Sequence, residues 1–339
     1  MPELSPGLRA GIDVLDGEHD RARLEAAAAR LSETYRAGGR GASRVARTRE
    51  EVAAYVAYRA PATYAAAVAV LRRVAVHLPG WQPRSVLDIG AGPGVASWAA
   101  AAVWPGIERF TLVEAEAEMI AAGRRIGATA LSAARWVHGD VSVDVENADL
   151  VLASYVLGEL DERAAAASAG RLWSHADGVV ALIEPGTPAG YWRVIAARAQ
   201  LIAAGGVTVA PCPHDAECPL ADDDWCHFAT RLPRSDAHRA VKGVSRGFED
   251  EKFSYVVVSR GPAERAVARV IRPPLIRSGH VYLDTCGPNG IARTIVSRRD
   301  KQAYRAAREL RWGDSVPTEI LINDEPIEDR PTADEMEQS

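Results

Sequence analysis

The ten residues Ser85-Val86-Leu87-Asp88-Ile89-Gly90-Ala91-Gly92-Pro93-Gly94 restrict what this chain can become more than any other stretch. An aliphatic run ends in three glycines at alternate positions and an alanine-rich segment follows, a pattern that spells strand, tight turn and helix. Glycine removes the Cβ atoms that would hold a ligand off the main chain, and the free N–H groups of the next helix face whatever binds there. The order points to a nucleotide-type cofactor at the carboxyl end of the first strand of a doubly wound sheet. The spacing G-x-G-x-G stops one residue short of the dinucleotide fingerprint, and no Gly-Lys-Ser/Thr follows to make a phosphate-binding loop.

Downstream, the pattern predicts helix over 96–103, strand over 109–114, helix through Met119 and Ile126, and strand over 135–138. Strands over 149–154 and 179–184 and helices up to Leu172 and over 191–203 continue the alternation, which means a parallel sheet with helices on both faces. Asp88, two residues before the first glycine, resembles motif I of the S-adenosylmethionine-dependent methyltransferases. On that resemblance the cofactor is held by Asp88, Gly90, Gly92 and Gly94, with Glu114 accepting the ribose hydroxyls and Asp140 meeting the adenine amino group. After the fourth strand, Ser154-Tyr155-Val156-Leu157 stands where base-amino methyltransferases carry Asn or Asp, two prolines and an aromatic. No residue presents itself as a base or nucleophile, and no catalytic residue is assigned.

Ahead of the sheet, residues 20–36 read as a helix stopped by Gly38-Gly39. A second helical block is predicted from about Val45 to Arg59 and a third opens at Pro61, together an N-terminal helical cap. The first fifteen residues hold no apolar run behind a basic start, and no segment reaches the roughly 20 apolar residues of a membrane span, so the expected location is cytoplasmic, with no membrane partner. Charge is segregated: residues 231–311 hold 18 Lys and Arg against 8 Asp and Glu, a local +10 in a chain whose net charge is −5. The end of the chain, 324–339, has seven acids, one Arg and two prolines, and is expected to be disordered.

Between these regions lies Pro211-Cys212-Pro213-His214-Asp215-Ala216-Glu217-Cys218-Pro219, followed by Asp224-Trp225-Cys226-His227-Phe228. Three of the four cysteines fall within 15 residues, and the fourth is in Thr285-Cys286-Gly287-Pro288. Four soft ligands on a Pro- and Gly-rich backbone point to tetrahedral zinc or an iron–sulfur cluster. Intervals of five and seven residues exceed those of common zinc knuckles and fit a larger cubane, while His214 and His227 keep a mixed zinc site open. Cys212 or Cys286 as the nucleophile of a cytosine-5 methyltransferase is a weaker reading, because a single nucleophile needs no three companions. Beyond them, Arg231, Arg234, His238, Arg239, Lys242 and Arg246, predicted strands near 268–271, 281–283 and 292–296, and a basic helix up to Arg311 form an RNA-phosphate footprint with Trp and Tyr for stacking.

Three blocks carry a specific resemblance: Glu184-Pro185-Gly186-Thr187-Pro188, the cysteine segment from Ala210 to Phe228, and Glu249-Asp250-Glu251-Lys252-Phe253-Ser254-Tyr255. Together they resemble the methyltransferase-like protein 17 family over roughly residues 51–311. The resemblance implies a Rossmann-like class I methyltransferase sheet with a 4Fe-4S cluster on Cys212, Cys218, Cys226 and Cys286, zinc being the alternative. It also implies action on the small ribosomal subunit through rRNA, not DNA, in assembly and translation, with an active S-adenosylmethionine-dependent rRNA methyltransferase as the alternative. The expected organisation is a helical cap over 1–80, the cofactor domain over 81–205, a metal-bound, β-rich basic lobe over 206–312 and an acidic tail over 313–339.

Overall fold

The computed structural model describes residues 3–36, 48–128, 130–160, 162–221, 223–233, 247–320 and 324–326. Three helices come first: α1 (Pro6–Gly17), α2 (Arg21–Arg36) and α3 (Arg49–His77). α1 has no counterpart in the sequence reading. The helical blocks expected on either side of Pro61 are one continuous helix of 29 residues, opened by a capping box between Thr48 and Glu51. Proline removes one interior hydrogen bond, and here the burial of 16 side chains along α3 outweighs that loss.

The alternating pattern then appears as expected: β1 (Ser85–Ile89), α4 (Val95–Val103), β2 (Arg109–Glu114), α5 (Ala117–Ile126), β3 (Arg135–His138), β4 (Ala148–Ser154), α6 (Glu162–Ser174), β5 (Ala176–Pro185) and α7 (Pro188–Ala203). The strands β3-β2-β1-β4-β5 lie side by side in that order, all parallel. This is the doubly wound order in which the chain reverses direction at β1 and β4, leaving a crevice at their carboxyl ends. Leu87 and Val151 are fully buried on one side of these strands, Val86 and Leu152 on the other, which accounts for runs that are apolar throughout rather than alternating.

β6 (Val207–Ala210), β7 (Phe228–Pro233) and β8 (Phe248–Ser259) come from the stretch expected to build the C-terminal lobe, yet they are hydrogen-bonded into this first sheet. β8 runs antiparallel to β5 along one edge. Along its other edge lie β6, opposite Val257–Ser259, and β7, opposite Phe248–Phe253. The two are therefore successive pieces of one strand line, and the segment between them, which holds three of the cysteines, leaves the sheet opposite Ser254, Tyr255 and Val256.

A second sheet has the order β13 (Ser315–Val316), β9 (Ala268–Val270), β11 (His280–Gly287), β12 (Gly290–Ser297) and β14 (Asp324–Pro326), with β10 (Leu275–Arg277) beside β11. Helix α8 (Lys301–Glu309) covers one face, packing Ala303 and Ala307 onto Val281, Leu283 and Val296. The pairing of β14 with β12 departs from the disorder expected at 324. The remaining tail from 327 and the basic residues 234–246 lie outside the described residues. Among the described residues no helix is long and apolar enough to cross a membrane.

Candidate functional site

The glycine turn does at β1 what its composition requires. Gly90, Gly92 and Gly94 all have positive φ, 67°, 54° and 82°. A Cβ on Gly90 would strike Val156 at 2.3 Å, whereas one on Gly92 would meet nothing within 4 Å, because Gly92 borders open space. Asp88, Gly90, Gly92 and Glu114 line one pocket with Ser154 and Tyr155. Gly94 caps α4 and packs beside Leu112 and Trp136 instead. Asp140 is not among the residues lining this pocket; its Oδ1 accepts bonds from the Ser142 N–H and hydroxyl at 2.8 and 2.5 Å.

Two buried polar atoms on this pocket have no partner among the described residues, Asp88 Oδ1 and the Ser154 hydroxyl. The other Asp88 oxygen accepts from the Ser97 N–H and hydroxyl at 3.2 and 2.8 Å. Burial pushes the Asp88 carboxyl up to about 7, against the lowering effect of those bonds. Glu114 is raised as well, again chiefly by burial, while its oxygens accept from the N–H groups of Gly92 at 2.7 Å and Glu116 at 2.9 Å. Each carboxylate oxygen keeps a second lone pair, so the ribose-binding capacity expected of Glu114 is retained.

Tyr155, which the sequence did not single out as a site residue, lines this pocket and is held by two residues of other elements. Tyr155, directly after β4, is the sole described non-glycine residue with positive φ (59°). Its hydroxyl donates to Glu251 Oε1 at 2.9 Å, and Arg59 of α3 grips both Glu251 oxygens at 3.2 and 3.0 Å while lying over the Tyr155 ring. Strained backbone of this kind persists only where its surroundings over-determine it. Tyr155 thus stands directly after the fourth strand, fixed in a triad by residues of α3 and β8.

A second pocket lies where the strand line along β8 is interrupted. Cys212, Cys218, Cys226 and Cys286 all line it, the first three from the segment between β6 and β7 and the fourth from β11 of the other sheet. The Tyr191 hydroxyl donates to Cys218 Sγ at 3.2 Å, and His214 Nε2 stands 3.6 Å from Cys286 Sγ. Burial raises the Cys212 and Cys226 thiols and pushes that of Cys286 up to about 12. Among the described residues, no group of three or more His, Cys, Asp or Glu is gathered tightly enough to hold a single metal ion.

Two arginines on this pocket are buried without a carboxylate partner among the described residues. Arg198, 4% exposed, donates to the carbonyls of His214 and Ala216 at 2.6 and 2.9 Å, and its Nε has no acceptor. Arg269, 1% exposed, reaches the carbonyls of Pro211 and Gly313, the Ser315 hydroxyl and His77. A guanidinium does not give up its proton, and an unpaired buried charge is costly. The pocket is therefore electrostatically prepared for an anionic occupant.

Residues 49–317 match the family model described as "Mitochondrial small ribosomal subunit Rsm22". The mitochondrial ribosome assembly protein METTL17 of Homo sapiens is 29% identical over 288 residues, covering 78% of this chain and 62% of that protein. A mitochondrial Rsm22-cox11 tandem protein of Schizosaccharomyces pombe is 27% identical over 80% of this chain and 44% of its own length. The chain thus spans less than two thirds of the length of these relatives. Among solved structures, a putative RNA methyltransferase from Pyrococcus horikoshii is similar with TM-score 0.42 and 20% identity, over 60% of this chain and 86% of that one. The magnesium protoporphyrin IX methyltransferase of Synechocystis PCC 6803 with bound S-adenosylmethionine gives 0.37 and 17%, over 59% and 78%.

The cytoplasmic location expected from the sequence is overturned by these comparisons, since the family and both relatives are designated mitochondrial. Mitochondrial transit sequences are basic and amphipathic, so the criterion applied could not detect one.

Proposed function

Because the chain belongs to the family of the mitochondrial small-ribosomal-subunit protein Rsm22, we propose that it serves small-subunit assembly by contacting rRNA through its basic C-terminal lobe. In this reading a 4Fe-4S cluster on Cys212, Cys218, Cys226 and Cys286 ties that lobe to the first sheet, and S-adenosylmethionine binds at the glycine turn. The observation that carries it is the convergence of four thiols from two sheets on one pocket that also holds two unpaired buried cations.

The residues present fit both groups. Four cysteines line one pocket, and their sequence intervals of five and seven residues are wider than those of common zinc knuckles, which is why a cluster is preferred here to one zinc ion. Thiols raised by burial need a metal to deprotonate them, and a tetrathiolate cluster brings the negative charge that Arg198 and Arg269 would offset. At the first pocket, the unpartnered Asp88 oxygen suits the ammonium of S-adenosylmethionine, Glu114 its ribose, and the bare edge of Gly92 the close approach of the nucleoside. Asp140 engages Ser142 through Oδ1 alone and keeps the role toward the adenine amino group in this reading.

When bound, the first group supplies a rigid anchor and the second an activated methyl group. Tyr155, which lines the pocket directly after β4, is held by Glu251 and Arg59 and is thereby committed to the fold. The assembly role is accordingly preferred to methyl transfer. Anaerobic purification should give brown protein with iron and sulfide in equal amounts, lost together in Cys286→Ser, and the loaded protein should co-sediment with small-subunit precursors. Colourless protein holding one zinc would reverse the cluster assignment. Tritium passing from labelled S-adenosylmethionine to rRNA, and vanishing in Gly92→Asp, would establish an enzyme instead.

A further inference from the structure

We propose that the outward face of the second sheet, centred on Tyr282 and His280, is a stacking platform for single-stranded RNA. The proposal deepens the rRNA reading above and rests on it. It follows from strand register: directly paired residues in an antiparallel ladder point to the same face. Tyr282 pairs with Leu275 on one side and Ile295 on the other, forming one row across β10, β11 and β12. Two residues along, Arg277, His280 and Ser297 form the next row on that face.

The opposite face is closed, with Val281, Leu283 and Val296 buried under α8. The Tyr282 face is open among the described residues: Leu275 is 45% and Ile295 37% exposed, and His280 is exposed. The His280 and Tyr282 rings stand side by side with centroids 6.4 Å apart. Two neighbouring rings flanked by aliphatic side chains on a flat sheet are what unstacked bases need, because every base has a face to stack and none needs a matched hydrogen-bonding partner.

At the outer end of the face, away from Asp284 and Glu325 at its inner end, charge favours a polyanion over a protein partner. Arg277 lies within the face, and Arg298, whose N–H donates to the Gly279 carbonyl, borders its outer end with Arg299. None of these three forms an ion pair among the described residues. Duplex RNA buries the faces of its bases, so only an unpaired strand can use such a surface. In the other direction along β11 the same face leads past the Asp284–Arg293 ion pair to Cys286. One strand thus joins the metal pocket at one end and presents the rings at the other.

The test uses full-length, metal-loaded protein and fluorescence anisotropy with a labelled single-stranded RNA of mixed sequence and a duplex of equal length. Wild type is expected to prefer the single strand. Tyr282→Ala should weaken that binding by roughly five- to a hundred-fold, the range for loss of one base–aromatic stack. Tyr282→Phe should retain affinity, and an unchanged melting temperature would separate lost stacking from lost fold.

Equal binding of duplex and single strand overturns the platform. So does an unaffected Tyr282→Ala alongside loss of RNA binding in Arg305→Glu/Arg308→Glu on α8, a result that leaves the rRNA reading standing and moves the contact elsewhere. Wild type that binds no RNA removes both. A Tyr282→Ala protein that keeps RNA affinity but no longer pulls down protein-only ribosomal fractions would make this face a protein-docking surface.

Discussion

Asp88 has the most consequential local environment in the first pocket, because its folded-state value near 7 lies well above the ordinary carboxylate value of 3.8. Between about pH 4 and pH 7 the native state keeps a proton that the unfolded chain has released, so stability falls as pH rises through that window and levels off above it. The slope contributed by one such group approaches about 1.4 kcal/mol per pH unit. Urea denaturation across this range should therefore show a decline that is shallower in Asp88→Asn; the remainder is assigned to Glu184, whose buried carboxyl is also pushed up to about 7, and to Glu114, which burial raises as well. A second residue-scale outcome concerns the triad. Glu251→Gln weakens the grip on a partly exposed Arg59 and should cost about 1–2 kcal/mol, against about 1 kcal/mol for Tyr155→Phe, which loses one hydrogen bond. Equal melting temperatures for wild type and Glu251→Gln would show that the triad adds nothing to stability.

At the scale of elements, the βα alternation was legible because fully buried parallel strands and alanine-rich helices write themselves as apolar runs separated by glycine and acid. Three features were not legible. α3 runs through Pro61 because its packing, which no local pattern reveals, outweighs a missing N–H. β6, β7 and β8 join the first sheet although the cysteine segment and the 234–246 stretch interrupt them, so sequence distance hid their adjacency. Arg59 and Glu251, 192 positions apart, meet only once β8 is laid beside the sheet under α3. Arg269 did leave a trace, a lone cation inside the apolar run Ala266-Val267-Ala268-Arg269-Val270-Ile271, which is the mark of a buried, bonded arginine. The turn joining β5 to α7 supplies an element-scale prediction. A Cβ at Gly190 would lie 2.0 Å from the Pro185 carbonyl oxygen, a backbone atom that cannot swing aside. Gly190→Ala should destabilise by about 2–4 kcal/mol by forcing α7 off β5, and a change under 0.5 kcal/mol in chemical denaturation would contradict that packing.

Across the whole molecule, the two sheets meet around the cysteine pocket, and Arg269 is one of the protein's own ties between them, beside Arg265–Asp215 and Arg272–Asp224, donating from β9 to the Pro211 carbonyl beside the first sheet. Arg269→Met should destabilise by about 3–5 kcal/mol, because it strands buried carbonyls at Pro211 and Gly313 while removing the cation. Loading with iron and sulfide should slow hydrogen exchange over 211–227 and 280–287 together, since both segments supply thiols to one pocket; protection confined to the first segment would separate Cys286 from the site. The interrupted strand line also dictates an order of events during synthesis. The segment with three thiols leaves the ribosome before β8, the strand that frames it, and well before Cys286. A nascent chain therefore displays three thiols with nothing yet built around them, and the cluster proposed above would be completed only once translation has passed β11.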